Sequence, residues 1–186
     1  MGLIIDDGTG NGHSVKVTGE NQLSTSAITK TLFHHLNHSD GQVYHMLFDT
    51  DPAGNDDCIL YLKNEAEEKD LVINGLQLYI AGACEITWKL KVEGTPVGGT
   101  NVIPVNMNAG SGKLASGTFQ YGEDITGLTG GDDAFKYVFT GALRSTGFQP
   151  DGDIIIPKNQ TFALYVDTAG VRVAGHVGFG YAYPDH

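Results

Sequence analysis

Glu85-Ile86-Thr87-Trp88-Lys89-Leu90-Lys91-Val92 alternates polar and apolar residues at every step. Ile86, Trp88, Leu90 and Val92 fall on one side; Glu85, Thr87, Lys89 and Lys91 fall on the other. A period of two is the side-chain repeat of a β-strand, and no helix reproduces it. One apolar face and one charged face mark a half-buried strand of an antiparallel sheet. The bulky Trp88 is expected in the core, with its indole N–H meeting a partner.

Working outward, similar segments recur at short intervals. Residues 43–48, 58–62, 71–79, 102–105, 114–121, 135–139, 153–156, 162–166 and 171–181 read as strands. Turn-forming clusters punctuate them: Ser39-Asp40-Gly41, Asp51-Pro52-Ala53-Gly54-Asn55, Glu93-Gly94-Thr95-Pro96, Gly110-Ser111-Gly112, Gly130-Gly131-Asp132-Asp133 and Pro150-Asp151-Gly152. No stretch has a convincing amphipathic helical face. Residues 28–36 fit either period, and their threonines favour a strand. About ten strands without intervening helices predict an all-β protein. The expected form is an antiparallel β-sandwich, jelly-roll-like, over residues 21–186. The polar, Gly-rich start, with Asp6-Asp7-Gly8-Thr9-Gly10-Asn11-Gly12, predicts an extended N-terminal arm over residues 1–20.

Composition narrows the function. The chain has 186 residues, 22 Asp plus Glu against 11 Lys plus Arg, and a net charge of −11. Phosphate-backbone binding needs a basic surplus, so nucleic acid is not an expected partner. Anionic membrane surfaces are disfavoured for the same reason. The longest uncharged apolar stretch, residues 71–84, is too short for a helix to span a bilayer. Met1 to Gly8 has neither the basic nor the apolar region of a secretory signal, so synthesis in the cytoplasm is expected. The two cysteines, Cys58 and Cys84, are expected as buried free thiols. Glycine, at 26 of 186 residues, is about twice its usual share of roughly 7% and fits a chain with many turns.

Few constellations suggest chemistry. Asp49, Asp51, Asn55 and Asp57 occupy positions 1, 3, 7 and 9 of an EF-hand-like loop, with Gly54 at position 6. They are the calcium candidates, although Leu60 stands where such a loop places its bidentate glutamate. His34, His35, His38 and His45 lie close together in sequence. In a strand His34 and His35 point to opposite faces, which keeps both from one ion, and the HExxH glutamate is missing. No dinucleotide fingerprint, phosphate-binding loop or nucleophile elbow is present. Phe179, Tyr181 and Tyr183 alternate with small residues. They read either as one face of a terminal core strand or as a sugar-stacking ladder. The sequence therefore predicts no enzyme and no cofactor.

Several phrases carry a resemblance: residues 20–29 from Glu20-Asn21-Gln22-Leu23, Ile59-Leu60-Tyr61-Leu62-Lys63-Asn64, residues 154–162 around Pro157-Lys158-Asn159-Gln160-Thr161, and Gly178-Phe179-Gly180-Tyr181. Over roughly residues 15–183 the chain resembles small virion structural proteins of tailed bacteriophages, in particular capsid decoration (cement) and fibre-associated proteins. The resemblance implies a β-sandwich that assembles as an oligomer, often a trimer, on a capsid. Its partners would be the major capsid protein and copies of itself, and its location the virion. It carries no catalytic residues over. The alternatives are a carbohydrate-binding module of a phage tail or fibre, and a metal-dependent cupin-like enzyme built on His34 to His45.

Overall fold

The computed structural model describes residues 4–5, 13–14, 31–141, 144–148 and 154–184. The chain divides into two compact units, Met1–Thr31 and Leu32–His186. Of the first unit, β1 (Ile4–Ile5) and β2 (His13–Ser14) are described, and they pair antiparallel. The rest of the expected arm lies outside the described residues.

The second unit opens with a helical turn, α1 (Leu32–His35), and a wide turn over Leu36–Asp40. This corrects the strand expected over residues 28–36 as far as residues 32–36 are concerned; residues 28–30 lie outside the described residues. Leu36 is buried, and Phe33, three residues earlier, packs into the same small cluster with Val43, Val72 and Ala182. Helical spacing brings those two side chains to one side, which alternation would not. Gly41 ends the turn at φ 59°, a left-handed cap that favours glycine.

Twelve strands follow: β3 (Val43–Thr50), β4 (Asp57–Asn64), β5 (Asp70–Ile80), β6 (Cys84–Val97), β7 (Thr100–Asn101), β8 (Val105–Asn106), β9 (Gly117–Tyr121), β10 (Thr126–Phe139), β11 (Arg144–Phe148), β12 (Ile154–Ile156), β13 (Thr161–Val166) and β14 (Val173–Ala182). One sheet runs β11-β5-β14-β3-β8, with β12 also on β5. The other runs β10-β6-β13-β4-β9-β7. Set aside the short strands β7, β8 and β9, and join β11 with β12. Eight strands then remain in chain order. The first sheet holds the first, eighth, third and sixth side by side; the second holds the second, seventh, fourth and fifth. That winding is a jelly roll, as expected.

The core lies between the sheets. Tyr44, Met46 and Phe48 of β3, Leu60 and Leu62 of β4, and Leu76 and Leu78 of β5 all point into it. Phe162 and Leu164 of β13 and Val177, Phe179 and Tyr181 of β14 complete it. Trp88 is buried among Phe135, Tyr137, Phe148 and Phe162, with ring centroids 4.6–5.7 Å away. Its indole nitrogen has no hydrogen-bond partner among the described residues, contrary to expectation.

Further differences from the expected strands cluster at β6 and β10. Val92 does not share the core face with Trp88; it packs with Cys58, Tyr61, Ile125 and Ala163 on the far side of its sheet. Lys91 adopts φ 58° and breaks the alternation just before it. Residues 130–133 form no turn but run within β10, where Gly131 at φ 93° sits beside that break. Residues 93–96 likewise continue β6, so β6 and β10 make one long ribbon. Of the strand expected at 102–105 only Val105 is in a strand, β8; residues 102–104 instead connect β7 and β8, two short edge strands on different sheets. β11 had no counterpart in the sequence reading.

Candidate functional site

Three loops meet at one end of the sandwich, and hydrogen bonds tie them together. In the β3–β4 loop, Ala53 N–H donates to the Glu123 carbonyl at 3.2 Å, and the Pro52 carbonyl accepts from Gly170 N–H at 2.8 Å. Asn55 Oδ1 accepts from Ala169 N–H at 3.2 Å. A cleft of about 640 Å³ opens there, lined by Asp49, Asp51, Tyr121, Glu123, Asp124 and Arg172 together with backbone at Gly98 and Gly122.

The calcium candidates are placed in this region but do not converge. Asp49 holds Arg172 in a two-pronged pair, Nε to Oδ1 at 2.8 Å and Nη2 to Oδ2 at 2.5 Å. The guanidinium keeps the Asp49 carboxyl below its ordinary range, through the hydrogen bond first and its charge second. Asp57 turns back to accept from Gly54 N–H, and Asn55 is used by Ala169. Asp51 faces the cleft. Asp124, pushed up by burial and by the nearby Asp57 charge, is the other perturbed carboxyl there. No group of three or more His, Cys, Asp or Glu side chains is poised to hold a metal ion among the described residues. The Asp49–Arg172 pair was not anticipated; an Arg far along the chain gives no local signal.

The histidines separate. His34 and His38 sit on the opening turns, with ring centroids 5.9 Å apart. His45 lies on β3 and stacks on His176 of β14, with centroids 5.1 Å apart and planes 13° from parallel. Burial, and then the neighbouring His176, hold the His45 imidazole below its ordinary pKa. Only strand pairing reveals this partner, because His176 stands opposite Leu47, two residues beyond His45.

That pair sits on the outer face of the β11-β5-β14-β3-β8 sheet. Its register fixes three rows: Val105, His45, Gly178 and Gly75; Leu47, His176, Gln77 and Gly147; Asp49, Ala174, Tyr79 and Ser145. Asp49 carries the one formal charge in these rows, and Arg172 neutralises it.

The thiols are buried and free, as expected. Desolvation pushes Cys58 up to about 12 and Cys84 up to about 11, so neither is a nucleophile at neutral pH. Phe179 and Tyr181 are core residues, and the Tyr181 hydroxyl donates to the Ser116 carbonyl at 2.7 Å. Tyr183 stands outside with the Lys69 ammonium 4.3 Å from its ring centroid. Among the described residues no helix is long and apolar enough to cross a membrane. Comparison with family models, curated proteins and solved structures finds no match to this chain.

Proposed function

We propose that this chain is a non-enzymatic structural protein of a bacteriophage virion, a capsid decoration protein that binds the assembled head as a homo-oligomer. The observation that carries the reading is the outer face of one sheet, whose rows hold no unpaired formal charge on a chain of net charge −11. A face without unpaired charge on a strongly acidic protein suits contact with protein rather than with nucleic acid. The jelly roll supports the reading, since viral capsid domains use it. So do the thiols, whose burial removes two potential nucleophiles. The partners would be the major capsid protein and further copies of the chain, arranged as a trimer on the head surface.

The test is co-sedimentation with assembled heads and, separately, with free capsid subunits. Binding to heads alone is expected. A protein that ignores assembled heads, and is missing from virions by electron microscopy, overturns the proposal.

One observation favours a second reading, a carbohydrate-binding module of a tail or fibre. The loop-end cleft combines an aromatic ring, Tyr121, with the carboxylates of Asp51, Glu123 and Asp124. Rings stack on sugars and carboxylates accept hydrogen bonds from hydroxyl groups. Glycan-array binding lost on Tyr121→Ala would favour it; silence across a broad array would remove it.

A further inference from the structure

We infer that the loop-end cleft is a cation pocket, which takes a guanidinium or primary ammonium group carried on an apolar stem. The site stands apart from the virion reading and competes with the sugar considered above for the same cleft.

The cleft lies where the gap between the sheets ends. Its walls are the ends of β3 and β9, the start of β7 and the residue before β14, and these strands come from both sheets. Two inward-facing residues form its floor. Thr50 follows Tyr44, Met46 and Phe48 at period two, on the face of β3 that points between the sheets. Tyr121 follows Phe119 in the same way on β9 and packs against the core. Thr50 is only 7% exposed and lines the cleft, yet its hydroxyl has no hydrogen-bond partner among the described residues. A buried hydroxyl left unpaired is costly. One aimed into an open cleft is answered by a ligand that donates to its oxygen.

Charge defines that donor. The carboxylates of Asp49, Asp51, Glu123 and Asp124 line the cleft against one cationic side chain, Arg172. Asp49 takes Arg172 in the two-pronged pair. The other three carboxylates have no ion pair with a lysine or arginine among the described residues. Burial, and then the Asp57 charge, push the Asp124 carboxyl up, as befits an acid short of a counter-ion. These carboxylates and the Thr50 oxygen all accept hydrogen bonds.

Three kinds of ligand donate or coordinate to acceptors, and geometry separates them. A calcium ion needs oxygens converging at about 2.3–2.6 Å. No group of three or more carboxylates is so placed among the described residues. A neutral sugar would cover three carboxylates and offset none of their charge. A guanidinium fans its N–H donors across a plane, so acceptors set apart from one another can share it. An ammonium on a flexible stem does so with fewer donors. The wall already holds one such group, since Arg172 is bound by Asp49. Tyr121 supplies a ring for the cation or its stem. Hydrogen bonds from Ala53 to Glu123 and from Gly170 to Pro52 tie the loops, so the pocket is formed in advance.

Amide NMR shifts, followed during titration with N-acetyl-arginine amide, test the inference. The neutral isostere N-acetyl-citrulline amide is the control; spermidine and maltose complete the set. The arginine amide should shift Thr50, Tyr121 and Gly122 saturably, and less so as salt is raised. The citrulline amide and maltose should not. Asp51→Asn and Glu123→Gln, both at exposed positions, should each weaken binding about fivefold. Thr50→Val removes the unpartnered hydroxyl at nearly constant shape and should weaken binding too. Circular dichroism checks that each variant is folded, and the two carboxylate variants carry the test alone where Thr50→Val is not. Tighter binding of the arginine amide than of spermidine assigns the cation to a protein side chain; the reverse assigns it to a free polyamine. Equal shifts from the citrulline amide, or binding that survives Asp51→Asn combined with Glu123→Gln, overturn the inference. Saturable binding of maltose without the arginine amide overturns it in favour of the sugar. Co-sedimentation with heads is untouched by any of these results, so the two proposals fail separately.

Discussion

Asn64 offers the sharpest test of how the sandwich is held together. It ends β4, is fully buried, and spends its whole amide on backbone. Its Nδ2 donates to the carbonyls of Lys69 at 2.8 Å and Ile156 at 2.9 Å, while its Oδ1 accepts from Ala66 N–H at 2.9 Å. One side chain thus joins β4, the turn after it and β12, which belongs to the other sheet. Asn64→Ala removes three hydrogen bonds worth about 1 kcal/mol each, and strands the buried Ile156 carbonyl at about 1–2 kcal/mol more. The expected loss is about 4–5 kcal/mol, a large fraction of the 5–15 kcal/mol typical of a domain. For a chain of this size that lowers the melting temperature by roughly 8–20 °C. Trp88 is the one tryptophan and is buried, so its fluorescence in a urea titration reads the transition directly. Asn64→Asp adds a signature in pH. Its carboxylate would face two carbonyl oxygens, which raises its folded pKa above the unfolded value near 3.9. Stability from the protonated form is then complete below that unfolded value and is lost as pH rises through the folded pKa. A loss under about 1 kcal/mol for Asn64→Ala, or a pH-independent deficit for Asn64→Asp, would refute the reasoning.

Three further outcomes follow from the site. His45 has a folded pKa depressed below 6.5, so the stability it contributes is complete above 6.5 and declines as pH falls below it; His45→Gln should flatten that decline in melting curves taken through the acid range. Cys58 and Cys84 should resist a thiol-reactive disulfide reagent in the native protein and both react in denaturant, and rapid native labelling of either would contradict their burial. Calcium, or a chelator, should leave the melting temperature unmoved, because Asp49, Asn55 and Asp57 are already committed to Arg172, Ala169 and Gly54; a rise with calcium would mean that the loop rearranges.

Alternation made most of the jelly roll legible. β3, β5 and β14 fall where period two placed them, because each has one face against the core; β4 and β13 fall where continuous apolar runs placed them, because the Cys58–Tyr61–Ala163 cluster buries their other face as well. The misreadings arise where glycine or a left-handed residue does something other than turn the chain. Gly130 and Gly131 look like a loop in sequence, yet lie within the β6–β10 ribbon opposite the kink at Lys91. α1 was hidden because residues 28–36 satisfy both periods, and only the packing of Phe33 and Leu36 decides between them. The site was less legible than the fold. Asp49 and Arg172 are 123 residues apart, and His45 meets His176 only because β14 returns to pair with β3. Local spacing could group Asp49 with Asp57 and His34 with His45, but register regrouped them across the sheet.

The two outer faces of the sandwich have been finished differently, and the contrast bears on function. On the β6–β10 side, charges pair across strands: Lys89 with Asp133 at 3.4 Å, Lys91 with Asp132 at 3.2 Å, Lys136 with Glu85 at 2.7 Å. Beneath them, Cys58, Tyr61, Val92 and Ala163 form a second small apolar cluster, closed by Ile125. That sheet supplies its own cover and presents water with ion pairs, which stabilise little but solvate well. The opposite sheet is covered at one end, where Leu36 and Phe33 pack over Val43, Val72 and Ala182. Beyond that end its three rows offer glycine, alanine, a stacked histidine pair and a projecting leucine. Exposed apolar residues are not what separates the two faces, because Val97 and Val138 on β6 and β10 are as open to solvent as Leu47 and Val105 on β3 and β8. The difference lies in charge: one face answers each lysine with a carboxylate across the strand, while the other holds its single carboxylate, Asp49, against Arg172.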